Sequence, residues 1–529
     1  MYYDTIGQSG GMNILKRLTH YMSQQSAIKK GVLLSYFVII FNIVAGFIYT
    51  PWMIAKIGKE NYGLYILVTS FLAYFTVDYG LWQAVNKLVA EHHSKGDPQS
   101  EHHVVNVAMS LYLFITLCIA AVLIVVFFYI DDIYSNLTES ELSLFKTLFI
   151  IASAFALLSF PFIFLQGVLM GREYFVPVKL FDMLKRVGVI ILTIILLAFD
   201  CGVVSLVIAF GITPIVIRFW EYIYLWRKGF RIRPVKPDRT TSKAIIGLSA
   251  WLFIIVLCEM LITNISPSLL AAYCNTTQIA IFAIGLTLYN YVYAFAGAIN
   301  GFFLPRIFKL RNQKNNEAII STSSMVSAIQ MFVVGLFIMG IICLGKEFIN
   351  LWVGYSFEQS YTVVLWLLFP AIIIFCQPIE NTELFATNKL YCQASMKICT
   401  AIFSILLSIM LCPVFGAVGA AVAVGISSFL FLGVGQNILF WKILRRTRTP
   451  FILLLLRYLF SFTVACGLYF LIDNFWITPN SWRYFFIHGF IFITIYFIVV
   501  YALGLPESIR RSMITPILNR FLNHNKHRF

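Results

Sequence analysis

Residues 104–129 read VVNVAMSLYLFITLCIAAVLIVVFFY, a long apolar run that contains no charged side chain. A helix needs about 20 consecutive, mostly apolar residues to cross the roughly 30 Å hydrocarbon core of a bilayer, because it rises about 1.5 Å per residue. A helix also satisfies its own backbone hydrogen bonds in that core, which an irregular segment cannot do. The run therefore predicts a membrane-spanning helix.

Comparable apolar runs recur along all 529 residues, of which 60% are hydrophobic and 12% charged. Soluble domains carry about 25% charged residues, so the composition excludes a soluble protein. The runs lie at 31–55, 62–90, 104–129, 142–170, 177–199, 202–226, 243–266, 277–304, 317–344, 360–380, 390–412, 415–441, 450–472 and 482–503. The sequence thus predicts an all-α integral membrane protein with about fourteen transmembrane helices.

The basic residues behind the formal net charge of +16 are distributed according to the topology of these helices. If the N-terminus is cytosolic, the basic clusters of the loops and tails, such as 227–243, fall on the cytosolic side. The opposite side keeps only a few basic residues, namely Lys56, Lys59, Lys146, Lys346 and Arg483. This asymmetry predicts that both termini are cytosolic. It also explains the positive charge without nucleic acid as a partner.

An internal repeat groups the helices into two sets. Three pairs of residues with the same separation occupy matching places, namely Tyr174 and Tyr391, Gly202 and Gly419, and Gly63 and Ala280. An even number of predicted helices separates the copies, so both run in the same direction across the membrane. The pattern predicts two six-helix lobes, related as a parallel repeat around a central cavity, plus two C-terminal helices.

The predicted domain boundaries follow from these elements. They are a cytosolic N-terminal segment (1–30), an N-lobe (31–226), a basic cytosolic linker (227–242), a C-lobe (243–441), two further helices (450–503) and a basic cytosolic tail (504–529). No predicted loop exceeds about twenty residues, so a soluble catalytic domain has no room. The function must therefore reside within the helix bundle.

Polar residues inside the predicted helices are the candidate functional residues, because a charge in hydrocarbon is costly and usually faces a cavity or a partner. In the second helix, polar or aromatic residues recur at every fourth position and therefore lie on one helical face. They are Ser70, Tyr74, Asp78, Trp82 and Asn86. Asp78 lies near mid-membrane. It is a candidate either for ion coupling or ion pairing, or for a purely structural bond between helices.

The fifth helix carries Lys179, Asp182, Lys185 and Arg186 in one sector, and the sixth carries Arg218. The four basic residues either attract an anionic substrate or extend to the cytosolic surface as snorkelling side chains. Glu259 of the seventh helix, with Asp182 and Glu380, is a candidate for ion coupling or ion pairing.

Aromatic and amide residues offer further contacts. Glu259 aligns with Thr263 and Ser266, and Glu380 follows a proline that can break the tenth helix. The candidate sugar contacts are Tyr74, Trp82, Asn290 and Tyr293, because aromatic rings can stack on sugars and amides can hydrogen-bond to them. Aromatic residues at helix ends also form the interfacial belt, which is the alternative interpretation.

The sequence predicts no metal site and no cofactor. The ten cysteines lack C-x-x-C spacing, and His92, His93, His102 and His103 fit a solvated hairpin better than a metal site. The chain also lacks a P-loop, H-E-x-x-H and G-x-S-x-G, which argues against an enzyme.

Several short motifs resemble those of one transporter family. They are Ile57-Gly58-Lys59-Glu60-Asn61-Tyr62-Gly63 between the first two helices, Asp78-Tyr79-Gly80-Leu81 in the second, Pro305-Arg306 after the eighth, Leu351-Trp352-Val353-Gly354 in an outside loop, and Phe415-Gly416-Ala417-Val418-Gly419-Ala420 entering the twelfth. Their order and placement resemble the O-antigen and exopolysaccharide flippases of the multidrug/oligosaccharidyl-lipid/polysaccharide exporter (MOP) superfamily. The seventh helix departs from the family, since it reads Thr263-Asn264-Ile265-Ser266 where many relatives have a charged pair.

The resemblance implies an inward-open cavity between two lobes in the bacterial inner membrane. It implies a membrane-lipid substrate, undecaprenyl pyrophosphate carrying a short oligosaccharide, which alternating access moves to the periplasmic leaflet. The coupling ion would be H⁺ or Na⁺, and the partners would be the polysaccharide polymerase and glycosyltransferases. Three alternatives remain: a lipid II flippase, a multidrug or metabolite antiporter, and a polysaccharide polymerase or ligase enzyme.

Overall fold

A computed structural model describes residue 38 and residues 40–313, 316–387, 389–443, 449–473, 481–507 and 510. The described residues form helices joined by short loops, with no strand among them. The predicted segment 1–30 and almost all of the tail 504–529 lie outside this range. The all-helical class that the apolar runs predict is confirmed.

The helices of the first half are α1 (Ile40–Ile57), α2 (Lys59–Thr76), α3 (Leu81–Ser94), α4 (Pro98–Phe128), α5 (Ile130–Ile133), α6 (Glu139–Ser159), α7 (Leu165–Gly171), α8 (Phe175–Ala198) and α9 (Val204–Arg227). The helices of the second half are α10 (Arg239–Tyr273), α11 (Thr276–Asn312), α12 (Asn316–Trp352), α13 (Gln359–Leu368), α14 (Ala371–Ile374), α15 (Pro378–Ala386), α16 (Leu390–Ser427), α17 (Gln436–Ile443), α18 (Thr449–Asp473) and α19 (Trp482–Val499). Two π-helical segments, Ser428–Gly435 and Val500–Gly504, continue α16 and α19.

Eleven helical segments within the described ranges are long and apolar enough to cross a membrane. The chain is therefore a multi-pass membrane protein, while the number fourteen stays a prediction. The difference has three sources. α8 carries charges in its first half, Gln359–Ile374 is a shorter apolar helix, and Leu390–Ile443 counts once although its backbone is non-helical at Gly416.

One residue of the predicted repeat is misplaced. Gly419, which the predicted repeat pairs with Gly202, lies within α16, where a Cβ atom would collide with the backbone of Leu411. The turn residue is Gly416, with φ of 55°, a backbone conformation that costs glycine little. Gly202, with φ of 58°, does occupy the turn between α8 and α9. Gly416, three residues before Gly419, is therefore the counterpart of Gly202 in backbone conformation.

The described residues form two compact units. Unit 1 comprises those up to Tyr49 with Phe75–Ile130 and Leu144–Phe253, and unit 2 comprises Thr50–Tyr74, Asp131–Ser143 and those from Ile254 onward. The core of unit 1 packs α3, α4, α7, α8 and α9 around residues such as Val85, Val105 and Phe164. The lobe boundaries proposed from the sequence stay a prediction.

The two C-terminal helices belong to unit 2, where they pack against α12. The hydroxyl groups of Tyr458 and Tyr496 donate hydrogen bonds to the carbonyl oxygens of Ala328 (2.9 Å) and Phe332 (2.5 Å). Both tyrosines are fully buried in an apolar cluster. Helix packing inside a membrane gains little from hydrophobic burial, so these hydrogen bonds help to fix the position of α18 and α19.

Oxidation should link α12 to α18 covalently. The sulfur atoms of Cys343 and Cys466 lie 3.9 Å apart, and a disulfide needs about 2.05 Å, so a small movement suffices. Copper phenanthroline treatment of membranes should give a Cys343–Cys466 peptide pair in mass spectrometry. The Cys466→Ser variant should lack it. Failure to cross-link this pair under conditions that oxidise exposed cysteines would contradict the packing of α18 on α12.

Candidate functional site

A charged cluster in unit 1 begins on α8. Lys179 and Lys185 each lie three residues from Asp182, which puts all three on adjacent turns. The Nζ atoms of the two lysines lie 3.8 and 3.9 Å from the carboxylate oxygens of Asp182. The side chains are about one third exposed, so the pairs are loose and partly hydrated. The structure thus brings together three of the four residues in the predicted sector, and their role in substrate binding stays a prediction.

The cluster continues on α9 with a tighter pair. Nη1 of Arg218 lies 2.7 Å from Oε2 of Glu221, and the two side chains are 13% and 5% exposed. Lys185 interacts electrostatically with both of these residues and with Arg186. Glu221 was not predicted as a site residue, although its position three residues after Arg218 on a helix was a sufficient signal.

The cluster has a surplus of positive charge. The basic residues Lys179, Lys185, Arg186 and Arg218 interact with Asp182 and Glu221, and Arg218 also interacts with Asp78. Among the described residues, four basic groups thus meet three carboxylates, which leaves a formal excess of one positive charge. Guanidinium and ammonium groups bind phosphate oxygens through charge-assisted hydrogen bonds. The arrangement can therefore hold an anionic group.

Asp78 lies at a break between α2 and α3. Tyr79 (φ 49°) and Gly80 (φ 84°) turn the chain there, and the carboxylate of Asp78 accepts a hydrogen bond from the backbone N–H of Trp82 at 2.5 Å. This bond caps the first turn of α3, where a carboxylate is favoured by the helix dipole. The prediction that residues 70–86 share one continuous helical face is therefore wrong.

Asp78 has a second partner that the sequence did not reveal. The hydroxyl group of Tyr112 on α4 donates a hydrogen bond to the other carboxylate oxygen, and both side chains are buried. Asp78 thus joins α3 to α4 within unit 1. Trp82 is the second residue of α3, whereas Tyr74 lies on α2 in unit 2. The sugar contacts predicted for these aromatic residues stay predictions.

A second group of polar residues lies in unit 2. Glu259 on α10 forms an ion pair with Lys397 on α16, with 3.1 Å between Oε2 and Nζ, and the hydroxyl group of Tyr293 on α11 hydrogen-bonds to the same carboxylate. The lysine side chain is only 12% exposed. The sequence predicted Glu259 and Tyr293 separately, and the structure brings them together. Asn290 lies one turn away on α11 and is exposed.

Lys397 was not predicted as a site residue, but it is the basic partner of Glu259. Its position within the first half of the long apolar helix α16 could have indicated a buried partner, because a charge inside a membrane helix usually has one. The hydroxyl group of Thr263 donates a hydrogen bond to the backbone carbonyl oxygen of Glu259. Thr263 therefore contacts the backbone of its own helix and not the carboxylate of Glu259.

Glu380 lies on α15, after the break that Pro370 and Pro378 introduce in the predicted tenth helix. Its carboxylate accepts a hydrogen bond from the hydroxyl group of Ser323 on α12. Glu383, one turn later, forms an ion pair with Arg311 at 3.3 Å. Glu380 is thus separate from the Glu259 group in these contacts.

No group of three or more His, Cys, Asp or Glu side chains among the described residues has the geometry of a metal site. Two of the four histidines of the 91–103 hairpin lie near carboxylates, with His103 Nε2 at 2.8 Å from Asp238 and His93 Nδ1 at 3.8 Å from Glu101. These contacts are consistent with a hairpin on the protein surface.

The fold resembles that of known membrane transporters. The structure titled lipid II flippase MurJ in its inward closed conformation is 15% identical, with a TM-score of 0.67 over 88% of this chain and 98% of the other. An inward-facing MATE family multidrug resistance transporter of the MOP superfamily is 13% identical, with a TM-score of 0.61 over 78% and 99% of the two chains. The Vibrio cholerae MATE transporter VcmN is 13% identical, with a TM-score of 0.55 over 81% and 100%.

A comparison with curated protein sequences gave no match. The sequence pattern of one family, described as polysaccharide biosynthesis protein, matches residues 28–311, which is more than half of the chain. The MurJ and MATE structures share its helical fold. The chain therefore belongs to the polysaccharide biosynthesis protein family and has the fold of the MOP-superfamily transporters.

Proposed function

We propose that the protein is a flippase, not an enzyme. It moves undecaprenyl-pyrophosphate-linked oligosaccharide units from the cytosolic to the periplasmic leaflet of a bacterial inner membrane, with both termini cytosolic. The product would supply surface polysaccharide such as O-antigen. The observation that carries the proposal is the cationic cluster of α8 and α9, which lies in a polysaccharide biosynthesis protein with a transporter fold.

The charge of the cluster suits the proposed headgroup. A pyrophosphate that links a lipid to a sugar carries about two negative charges, which suits the net positive charge around Lys185 and Arg218. Alternating access would expose this cluster first to the cytosolic leaflet. The polyprenyl tail would remain in the membrane lipid.

The membrane potential supports the proposed direction. Moving one charge through 100 mV changes the free energy by about 2.3 kcal/mol, so two negative charges leaving a negative interior gain roughly 4–5 kcal/mol. We propose that coupling to H⁺ or Na⁺ takes place in unit 2, where Glu259 pairs with Lys397. A polymerase and glycosyltransferases would act after and before this step.

Replacing Lys185 should slow export of the lipid-linked oligosaccharide about 10- to 100-fold. The variant Lys185→Gln removes one charge-assisted contact to the headgroup, worth about 1.5–3 kcal/mol, and each 1.4 kcal/mol corresponds to a factor of about ten. The measurement is surface polysaccharide and radiolabelled lipid-linked oligosaccharide in a deletion strain complemented with each variant. Lys87→Gln, which changes an exposed lysine on α3, is the matched control and should behave as wild type.

The deletion strain itself separates the alternatives. Loss of surface polysaccharide, with lipid-linked units accumulating on the cytosolic face, supports the proposal. Unchanged polysaccharide with raised drug sensitivity would replace it with an antiporter. Arrest of cell-wall synthesis would indicate lipid II, which shares the pyrophosphate headgroup, and exported but unpolymerised units would indicate a polymerase.

A further inference from the structure

The segment that joins α9 to α10 in unit 1 is strongly basic. Residues 227–243 contain seven basic residues and one acidic residue. All seven basic residues are exposed, namely Arg227, Lys228, Arg231, Arg233, Lys236, Arg239 and Lys243. The acidic residue, Asp238, accepts hydrogen bonds from the hydroxyl group of Thr240 and from the backbone N–H of Thr241. The surface of this segment is therefore strongly positive at neutral pH.

The middle of this segment, residues 230–238, is a strap that follows α4. The strap has no regular secondary structure, but side chains of α4 bind its backbone. The backbone N–H of Arg233 donates a hydrogen bond to Oδ1 of Asn106 at 3.0 Å. The backbone N–H of Val235 donates to the hydroxyl oxygen of Ser110 at 2.9 Å, and that hydroxyl group donates to the carbonyl oxygen of Val235 at 2.6 Å. The path of the strap along α4 is therefore fixed by satisfied backbone groups.

Apolar and basic residues of the strap point to opposite sides. Phe230 is buried, and Ile232 and Val235 pack partly buried against the apolar cluster of unit 1. The guanidinium group of Arg172 lies over the ring of Phe230, 4.7 Å from its centroid. The basic residues between and after these apolar residues are exposed, namely Arg231, Arg233 and Lys236. The packing therefore gives the strap a basic face that is turned away from the protein.

The strap lies next to the lipid-facing surface of unit 1. Phe114 follows Ser110 by about one turn on α4, and its apolar side chain is 65% exposed. A helix rises about 1.5 Å per residue, so these two residues are only about 6 Å apart along the helix axis. Trp226, the penultimate residue of α9, is exposed, and tryptophan is enriched where lipid headgroups meet water. The basic face of the strap therefore lies at the level of the headgroups.

We propose that the strap binds the anionic headgroups of phospholipids in the adjacent leaflet, which the proposed topology makes the cytosolic one. Basic clusters next to a membrane helix attract anionic lipids, and arginine and lysine bind phosphate oxygens through charge-assisted hydrogen bonds. The lipid fits better than an acidic protein, because the basic face continues directly into the lipid-facing surface of α4 and α9. This binding does not depend on the proposed export activity.

The test is native mass spectrometry of the purified full chain in detergent, titrated with phosphatidylglycerol or with zwitterionic phosphatidylcholine of the same acyl chains. We expect the wild type to bind phosphatidylglycerol more tightly. Each basic residue near an anionic surface contributes about fivefold to binding. The triple variant Arg231→Gln/Arg233→Gln/Lys236→Gln should therefore bind phosphatidylglycerol about 100-fold more weakly and phosphatidylcholine as the wild type does.

Two control variants separate the charge of the strap from its fold and its position. Arg231→Lys/Arg233→Lys keeps the charge and should bind phosphatidylglycerol as the wild type does. Lys87→Gln/Lys95→Gln removes two exposed lysines outside the strap and should also bind as the wild type does. If the triple variant is not monodisperse, the wild type is measured in about 0.5 M NaCl, which should weaken its binding of phosphatidylglycerol but not of phosphatidylcholine.

Three results would overturn the proposal. The first is equal binding of the two lipids by the wild type, which would leave the basic face to an acidic partner protein. The second is a monodisperse triple variant that binds phosphatidylglycerol as tightly as the wild type, or binding by the wild type that salt does not weaken. The third is an equal loss in Lys87→Gln/Lys95→Gln, which would indicate a diffuse surface charge and no site at the strap.

Discussion

Arg172→Met will destabilise the protein by about 3–5 kcal/mol, because it leaves a buried carboxylate without its charged partner. Nε and Nη2 of Arg172 lie 2.5 and 2.7 Å from the two oxygens of Glu101, whose side chain is 1% exposed. The guanidinium also lies over the ring of Phe230, 4.7 Å from its centroid. The measurement is the free energy of unfolding in an SDS titration of the purified protein.

An exposed pair in the same unit provides the control. Lys95 and Glu91 are only 2.6 Å apart, but their side chains are 61% and 47% exposed, so Lys95→Met should cost less than about 1 kcal/mol. Replacing both Arg172 and Glu101 with methionine should recover most of the loss, because no buried charge is left unpaired. Equal effects of the Arg172 and Lys95 variants would contradict the burial of Glu101.

Asp78→Ala will cost about 2–4 kcal/mol of stability through two separate losses. It removes the cap of α3, worth about 1 kcal/mol, and it leaves the buried hydroxyl group of Tyr112 without its acceptor, which costs about 1–3 kcal/mol. A double-mutant cycle with Tyr112→Phe should show coupling of about 0.5–3 kcal/mol, measured in the same SDS titration.

The isosteric variant decides between structure and ion coupling at Asp78. Asparagine keeps one acceptor oxygen, and the Tyr112 hydroxyl group can rotate to accept from the new amide. We expect Asp78→Asn to unfold near the wild-type midpoint and to restore surface polysaccharide. A variant that is stable but inactive in export would instead assign ion coupling to Asp78.

At the candidate site, contacts within one helix could be predicted from the sequence, whereas contacts between helices could not. Spacing along one helix found Lys179, Asp182 and Lys185, because residues three apart on a helix are neighbours. It missed Lys397 as the partner of Glu259, since these residues lie on different helices and no local pattern joins them. It also extended one helix through Asp78, where Tyr79 and Gly80 turn the chain.

The sequence by itself determined the helical class, the membrane location and most helix positions, because hydrocarbon admits only self-bonded backbone and a fixed length of apolar chain. Its motifs also predicted the family. Only the tertiary structure decided which polar side chains meet, such as Arg172 with Glu101 and Tyr112 with Asp78. The physical reason is that an intramembrane polar group must find a partner in three dimensions, and helix packing, which periodicity does not encode, chooses that partner.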